Sequence, residues 1–452
     1  MRSLETPVQP GVRFRSRSRP APSRDAGRFL QALAGEPRGF WGRGDRWVAW
    51  GGVAARIEVT GAGSGSQTGR FDEMRRRALK VAAPAGSRWF GGFSFLDGLH
   101  DPEDQKAVWD GFPSASFILP RLLLRSDPEG ATLVECTPEN TPDRWLDDML
   151  VTLLGDCPRG DPPVTGRAAP ELTAIQVTDP DALPRWRHAV ERVLAEEAAG
   201  RVEKAVMARI MDVRMPGAVD SLRALELLRT ENRQAHVYYL EPRPGRVLLG
   251  AAPEVLTRVR EGRFEATAVA GSVPRGRSPE EDEARAAELL SSAKNRMEHR
   301  LTVDEMREIL GSRLHDLTVQ PEPGVLRLAR IQHLETVLTG VVPEGEDVLS
   351  LVEALHPTPA VCGRPRGRAL ELIRMVEPFH RGWYAGPVGW FNGRGEGDFV
   401  PALRSAVGGG RDWRLFAGAG IVPGSDPDAE WAETALKFEP ALVALDTGVR
   451  RG

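Results

Sequence analysis

A glycine-rich turn followed by an acidic helical segment, AGAGIVPGSDPDAEWAETALK, carries the most informative side chains of this sequence. Glu430 and Glu433 are three residues apart, so they share one face of a helix, and Lys437 lies one turn further on the same side. Gly418 and Gly420 can bring bare backbone N–H groups close to an anion. The spacing therefore predicts a site for an anionic substrate and a hard divalent cation.

Two other side chains have surroundings suited to proton transfer. Lys204 lies on the apolar strand VEKAVMARI, where aliphatic neighbours would desolvate it, lower its pKa and make it a general base. Glu254 follows Pro253 directly after the strand RVLLGAA, so its carboxyl group would enter a dry pocket, have a raised pKa and act as an acid. The alternatives are a strand-end lysine that reaches solvent and an ordinary turn glutamate.

Glu298 lies on a long predicted helix, one residue past an apolar stripe. Together with Glu433 it would supply two carboxylates from two helices, and such sparse ligation suits Mg²⁺, which keeps waters and borrows oxygens from its substrate. The alternative is an exposed helix glutamate. The neighbouring His299 is not part of an HExxH motif, so the sequence does not favour zinc.

Several donors could hold an anionic substrate. Arg404, in PALRSAV, can grip a carboxylate through two parallel hydrogen bonds, and Tyr384 can add a hydroxyl donor. Gly271 and Ser272, in AVAGSVPRG, resemble a second glycine-assisted anion site. Each of these segments is equally consistent with plain turn or strand structure.

The elements that must position these residues are mainly strands at hairpin-like spacing. The run VEKAVMARIMDV is apolar on both faces, as a central strand would be. Helices are predicted at 278–311, near 347–355, at 365–376 and in the last segment of the chain. We therefore expect an α+β fold in which large antiparallel sheets pack with peripheral helices.

Composition places this chain of 452 residues among soluble globular proteins. A formal net charge of −3 gives no general attraction to nucleic acid, and no apolar run is long enough to span a bilayer, so neither partner is expected. The three cysteines lack metal-ligand spacing and no apolar leader is visible, which together predict a reduced, cytoplasmic environment.

The first part of the chain carries few interpretable motifs. Residues 1–25 are expected to form a disordered Arg/Pro-rich tail, although similar segments occur in transit peptides and nucleic-acid-binding arms. Residues 26–170 contain short strand-like runs, and the segment 155–171 reads as a linker.

Nine motifs occur in the order of those in the chorismate-binding enzymes, which the chain resembles over residues 175–446. They are VEKAVMAR, LLGAAPEVL, TAVAGSVPRG, AKNRMEH, HLETVLTG, ALHPTPAVCGRPR, RGWYAGPVGW, ALRSA and AGAGIVPGSDPDAEWAETALK. That family includes isochorismate synthase, salicylate synthase and the first components of anthranilate and aminodeoxychorismate synthases. The resemblance implies the anthranilate synthase component I-like fold, with residues 26–170 as its variable N-terminal part.

Within the family, ALHPTPAVCGRP and RGWYAGPVGW resemble the isochorismate synthase branch. The ammonia-using synthases have an SGAPK-like stretch where this chain has CGRPRGRA, and Ala270 stands where aminodeoxychorismate synthases commonly carry a lysine nucleophile. The resemblance implies Mg²⁺-dependent interconversion of chorismate and isochorismate for menaquinone or siderophore biosynthesis. Salicylate synthase, an ammonia-using anthranilate-type synthase and a non-catalytic chorismate-binding protein are the alternatives.

The resemblance also implies roles for individual residues. Lys204 matches the base that activates water for attack at C2, and Glu254 the acid that protonates the departing C4 hydroxyl. Glu298 and Glu433 match Mg²⁺ ligands, with Glu430 close by. The substrate-pocket positions are Gly271, Ser272, His356, Ala360, Tyr384, Arg404, Gly418, Gly420 and Lys437.

The expected partner is the small molecule chorismate, without an amidotransferase subunit, bound by a monomer or weak dimer. Asn295 stands where many relatives carry aspartate, and we expect little effect because the glutamate that follows is retained.

Overall fold

The computed structural model describes residues 12–60, 69–97, 108–141, 145–154, 175–177 and 179–449. The predicted linker at 155–171 and residues 1–11 of the predicted tail lie outside these ranges. Helices in the described part are α1 (Ala26–Ala32), α2 (Gly69–Leu79), α3 (Trp145–Leu154), α4 (Ala182–Ala198), α5 (Ser221–Glu231), α6 (Pro279–Ser291), α7 (Ala293–Gly311), α8 (Val348–Leu355), α9 (Arg366–Val376) and α10 (Pro427–Gly448).

Twenty strands occur in the same part of the chain. They are β1 (Phe14–Pro20), β2 (Arg38–Arg43), β3 (Arg46–Val59), β4 (Arg88–Phe93), β5 (Ala115–Asp127), β6 (Gly130–Pro138), β7 (Ile175–Gln176), β8 (Lys204–Arg214), β9 (His236–Arg243), β10 (Arg246–Ala252), β11 (Thr257–Arg260), β12 (Arg263–Pro274), β13 (His315–Val319), β14 (Gly324–Arg327), β15 (Ile331–Val341), β16 (Gly363–Arg364), β17 (Pro387–Asn392), β18 (Gly397–Pro401), β19 (Ser405–Gly409) and β20 (Asp412–Ile421).

Antiparallel pairing links these strands into one extended sheet, which confirms the predicted α+β architecture. β5 joins two halves, because one of its edges pairs with β3 and the other with β4 and β6. One half continues through β2, β9, β10, β19 and β20 to β8. The other continues through β17, β18, β11 and β12 to β15.

The cores explain how the two halves stack. One apolar cluster contains side chains from both halves, including Trp50, Met207 and Trp390, and fills the space between them. A second packs α1, α3, α5 and α10 against the half that ends at β8. A third packs α2, α7 and α8 against the half that ends at β15. The site can therefore lie between two sheet halves that helices support from outside.

Two local predictions were wrong. Phe14–Pro20 is not disordered but pairs with β6, since the alternation in FRSRSRP suits a strand whose arginine stems lie along the sheet. The helix predicted at 278–311 is interrupted at Ser292, whose extended backbone ends α6 and whose hydroxyl caps α7 by accepting from the Asn295 N–H.

The other helix predictions near the site are confirmed at Val348–Leu355 and Arg366–Val376. Within the described residues, none of the helices is long and apolar enough to cross a bilayer.

Candidate active site

A cleft lies where the ends of the two sheet halves approach each other. Its walls come from β8 and β20 of one half and from β12 and β15 of the other, closed by the loops before β11 and around Tyr384 and Arg404. The predicted site residues that line the cleft are Glu254, Gly271, Ser272, Glu298, Ala360, Tyr384, Arg404, Gly418, Gly420 and Lys437.

Lys204 begins β8 and is fully buried, so the solvent-exposed alternative does not apply. Its Nζ lies 3.1 Å from Glu298 Oε1 and donates a hydrogen bond to Thr302 Oγ1 at 3.3 Å. Both partners project from α7, which therefore places the predicted base beside a predicted metal ligand.

Gly420 on β20 makes this contact possible. A Cβ at this position would lie 2.1 Å from Glu298 Oε1 and 2.8 Å from Lys204 Cε. Any side chain here would displace one of the two groups, so glycine is required for packing rather than for backbone conformation.

Glu254 follows β10 and is buried, with only 3% of its surface exposed. Burial raises the pKa of its carboxyl group to about 8, although the charges of Lys204 and Arg404 oppose this shift. Glu254 is therefore mainly protonated at neutral pH and can donate a proton into the cleft.

A bulge in β12 shapes the opposite wall. The pairing of β12 with β15 shifts register between Ala270 and Ser272, and Gly271 between them has a φ of +74° that favours glycine. The bulge turns the Gly271 carbonyl and the Ser272 hydroxyl towards His333, whose Nδ1 lies 3.0 Å from the carbonyl oxygen and 3.1 Å from the hydroxyl.

His333 lines the cleft and was missed by the sequence analysis. Its Nε2 accepts a hydrogen bond of 2.7 Å from Arg404 Nη2, so its proton is assigned to Nδ1, which donates to the Gly271 carbonyl. Burial and the adjacent Arg404 charge hold the pKa of His333 well below its usual value. It is a neutral side chain that fixes the direction of Arg404.

Arg404 is buried and adopts a φ of +52°, a backbone conformation that a non-glycine residue rarely takes. Burial lowers the pKa of its guanidinium to about 10, which still leaves it charged at neutral pH. It is thus a fixed cation for an anionic ligand.

Tyr384 stacks on Phe416, with ring centroids 4.9 Å apart. Burial raises the pKa of its hydroxyl to about 12, so it keeps its proton and can donate a hydrogen bond. A Cβ on Gly418 would lie 3.0 Å from this hydroxyl oxygen, so glycine at 418 leaves it free to meet a ligand.

Glu430 and Glu433 both lie on α10 and each pairs with a lysine. Lys437 Nζ lies 2.5 Å from Glu433 Oε1 and donates to the Gly418 carbonyl at 2.8 Å. Lys294, from the first turn of α7, pairs with Glu430. Burial alone would raise the pKa of Glu433, but Lys437 holds it below the usual value. Burial and the Glu433 charge raise the pKa of Glu430.

Three carboxylates near the cleft have the chemistry that a hard cation prefers. Glu298, Glu430 and Glu433 supply only oxygen donors, the type that Mg²⁺ prefers. In the part of the chain that the structure describes, no three His, Cys, Asp or Glu side chains come together in a way that could hold a metal ion by themselves. A cation held here would therefore take further oxygens from water or from an anionic ligand.

His356 is the predicted pocket residue that the structure places elsewhere. It follows α8, donates from Nε2 to the Phe95 carbonyl at 2.9 Å and packs its ring against Phe95 and Phe71. It is not among the residues that line the cleft. Ala360 in the same ALHPTPAV motif does line the cleft. Membership of the motif therefore did not predict which way the His356 side chain points.

Comparison with known proteins agrees with this geometry. The isochorismate synthase MenF of Bacillus subtilis strain 168 is 33% identical over 377 residues, covering 80% of this chain and 75% of that protein. The salicylate biosynthesis isochorismate synthase of Pseudomonas aeruginosa is 36% identical over 372 residues, covering 81% of this chain and 75% of that protein.

A solved structure described as MenF, the menaquinone-specific isochorismate synthase from Escherichia coli, matches with a TM-score of 0.77 and 27% identity. The match covers 98% of this chain and 96% of that one, so the two share the predicted chorismate-binding fold. The sequence profile of the chorismate binding enzyme family matches residues 11–446. With the cleft, the fold and the profile in agreement, the chain belongs to the chorismate-binding enzyme family.

Proposed function

We propose that this chain is an Mg²⁺-dependent isochorismate synthase, which interconverts chorismate and isochorismate. The observation that carries the proposal is a buried lysine, Lys204, held beside Glu298 of the cleft wall, together with a buried and mainly protonated glutamate, Glu254, that lines the same cleft. The names of the two relatives and of the solved structure support the same reaction.

Binding of the substrate needs local positive charge, because chorismate is a dianion and the chain has a net charge of −3. Arg404 supplies a fixed cation, Tyr384 a hydroxyl donor, and the glycines at 418 and 420 allow close approach to the β20 backbone. When bound at Glu298 and Glu433, Mg²⁺ would supply further charge neutralisation for a substrate carboxylate.

The reaction requires a base and an acid at different carbons. Water is a weak nucleophile, so Lys204 takes its proton as the oxygen bonds to C2. The ring double bonds shift, and Glu254 gives its proton to the C4 hydroxyl, which leaves as water. One water enters and one leaves, so the product is an isomer of the substrate.

After one turnover Lys204 carries the proton that Glu254 has lost. The resulting ammonium and carboxylate have opposite charges and attract each other. The same two groups with exchanged roles catalyse the reverse reaction, and isochorismate would supply menaquinone or siderophore biosynthesis.

The test is conversion of chorismate by the purified protein with Mg²⁺, followed by chromatography of the products. We expect isochorismate without pyruvate, and loss of conversion in Lys204→Ala and Glu254→Gln variants that remain folded. Equimolar salicylate and pyruvate would assign a salicylate synthase instead. Full turnover by Lys204→Ala would refute the assignment of the base.

A further inference from the structure

Lysine is rare in this chain, yet it is the partner of every predicted metal ligand. Only five of its 60 basic residues are lysines. Three of the five pair with these carboxylates: Lys204 with Glu298, Lys294 with Glu430 and Lys437 with Glu433. Among the other described residues, ion pairs are built almost entirely from arginine, so the choice of lysine around the cleft calls for a physical reason.

The three lysines differ in how firmly they are held. The side chain of Lys204 is 0% exposed and that of Lys437 is 15% exposed, with its Nζ also donating to the Gly418 carbonyl. The side chain of Lys294 is 33% exposed and bonds to Glu430 at the edge of the cluster. Lys294 can therefore move into solvent without breaking a buried contact other than its pair with Glu430.

Lys294 occupies a helix position that is unfavourable for a cation but lies near the predicted metal ligands. It lies in the first turn of α7, where the helix dipole disfavours a cation. Its charge is compensated by Glu430 first, then by Glu433 and Glu298. The ammonium thus lies within electrostatic reach of all the carboxylates predicted to bind the metal.

We propose that Lys294 is a resident counter-ion that competes with the divalent cation for Glu430 and its neighbours and withdraws into solvent when that cation binds. This rests on the proposed function, because it concerns the same metal. Lysine suits the task better than arginine, since its compact and strongly hydrated ammonium makes one contact, whereas a guanidinium would hold Glu430 through two parallel bonds. Lys294 is therefore a positioning residue that sets metal affinity and takes no part in proton transfer.

Two substitutions of Lys294 should have opposite effects on metal affinity. Lys294→Met keeps the length of the stem but removes the charge, so we expect the Kd for Mg²⁺ to fall by about tenfold, as for loss of one partly buried competing charge. Lys294→Arg should raise that Kd, because a bidentate grip on Glu430 is harder to displace. Lys80→Met, at an exposed lysine outside the cleft, is the matched control and should leave the Kd unchanged.

The measurement is isothermal titration of each variant with MgCl₂ in the absence of chorismate, with thermal unfolding in EDTA and in Mg²⁺ as a second readout. We expect Lys294→Met to have a lower Tm than wild type in EDTA, because the buried Glu430 then lacks a cation, and to regain it in Mg²⁺. Weaker or unchanged Mg²⁺ binding by Lys294→Met overturns the counter-ion role. If the protein converts chorismate without Mg²⁺ and no variant binds Mg²⁺, the metal requirement in the proposed function is refuted instead.

Discussion

Glu254→Gln tests the raised pKa of the predicted acid through protein stability. Burial moves the pKa of Glu254 from an ordinary 4.5 to about 8. Between these values the unfolded chain loses the proton while the folded protein keeps it, so rising pH stabilises the unfolded state. Below pH 4.5 both states are protonated, and above pH 8 both are ionised, so the loss of stability develops between the two values and is then constant.

The size of the effect follows from the shift. Ionisation of Glu254 lowers the unfolding free energy of the wild type by about 1 kcal/mol at pH 5, about 3 kcal/mol at pH 7 and roughly 4–5 kcal/mol above pH 9. Glutamine cannot ionise, so the variant avoids this loss. Changes in packing or hydrogen bonding caused by the substitution add the same amount at every pH. The rise of the difference with pH, rather than its absolute value, therefore reports the pKa.

Urea unfolding of wild type and Glu254→Gln at pH 5, 7 and 9 measures this difference. We expect the variant to gain stability relative to wild type at each step, while its conversion of chorismate is lost. The activity of the wild type should also decline as pH rises past 8. A difference in unfolding free energy that stays constant from pH 5 to pH 9 would show that Glu254 is already ionised at neutral pH and would refute its role as the acid.

Three other substitutions test the cleft. Gly420→Ala should lower kcat by about 100-fold, because its Cβ would lie 2.1 Å from Glu298 Oε1. The control Gly367→Ala has open space at its Cβ and should leave kcat unchanged. Equal rates for the two variants would exclude the packing role of Gly420. Tyr384→Phe removes one donor and should lower kcat/KM by roughly 10–100-fold, and an unchanged value would place the substrate away from this hydroxyl. Glu433→Ala should raise the Mg²⁺ concentration for half-maximal rate at least about tenfold, and an unchanged requirement would exclude it as a ligand.

Local spacing predicted the parts of the site that lie on one element. Glu430, Glu433 and Lys437 share a face of α10 as their separation requires, and Lys437 does bond to Glu433. The burial of Glu254 also followed from its place directly after an apolar strand. These inferences depend only on the repeat of a helix or strand, which the sequence displays directly.

Contacts between distant segments could not be read in this way. The meeting of Lys204 with Glu298, and of Arg404 with His333, depends on how β8, α7 and β15 pack, and no local pattern encodes it. His333 gave no signal of its own, since a histidine in a mixed strand is equally consistent with core packing. Motif matching, for its part, gave His356 a pocket role although its ring lies against Phe95.

The most direct test of the proposed reaction is to start with chorismate in one sample and isochorismate in another, each with the purified protein and Mg²⁺. We expect both samples to reach the same final ratio of the two compounds, without pyruvate. Conversion in one direction with release of pyruvate, or no conversion of either compound, would contradict the assignment of Lys204 and Glu254 as the acid–base pair of an isochorismate synthase.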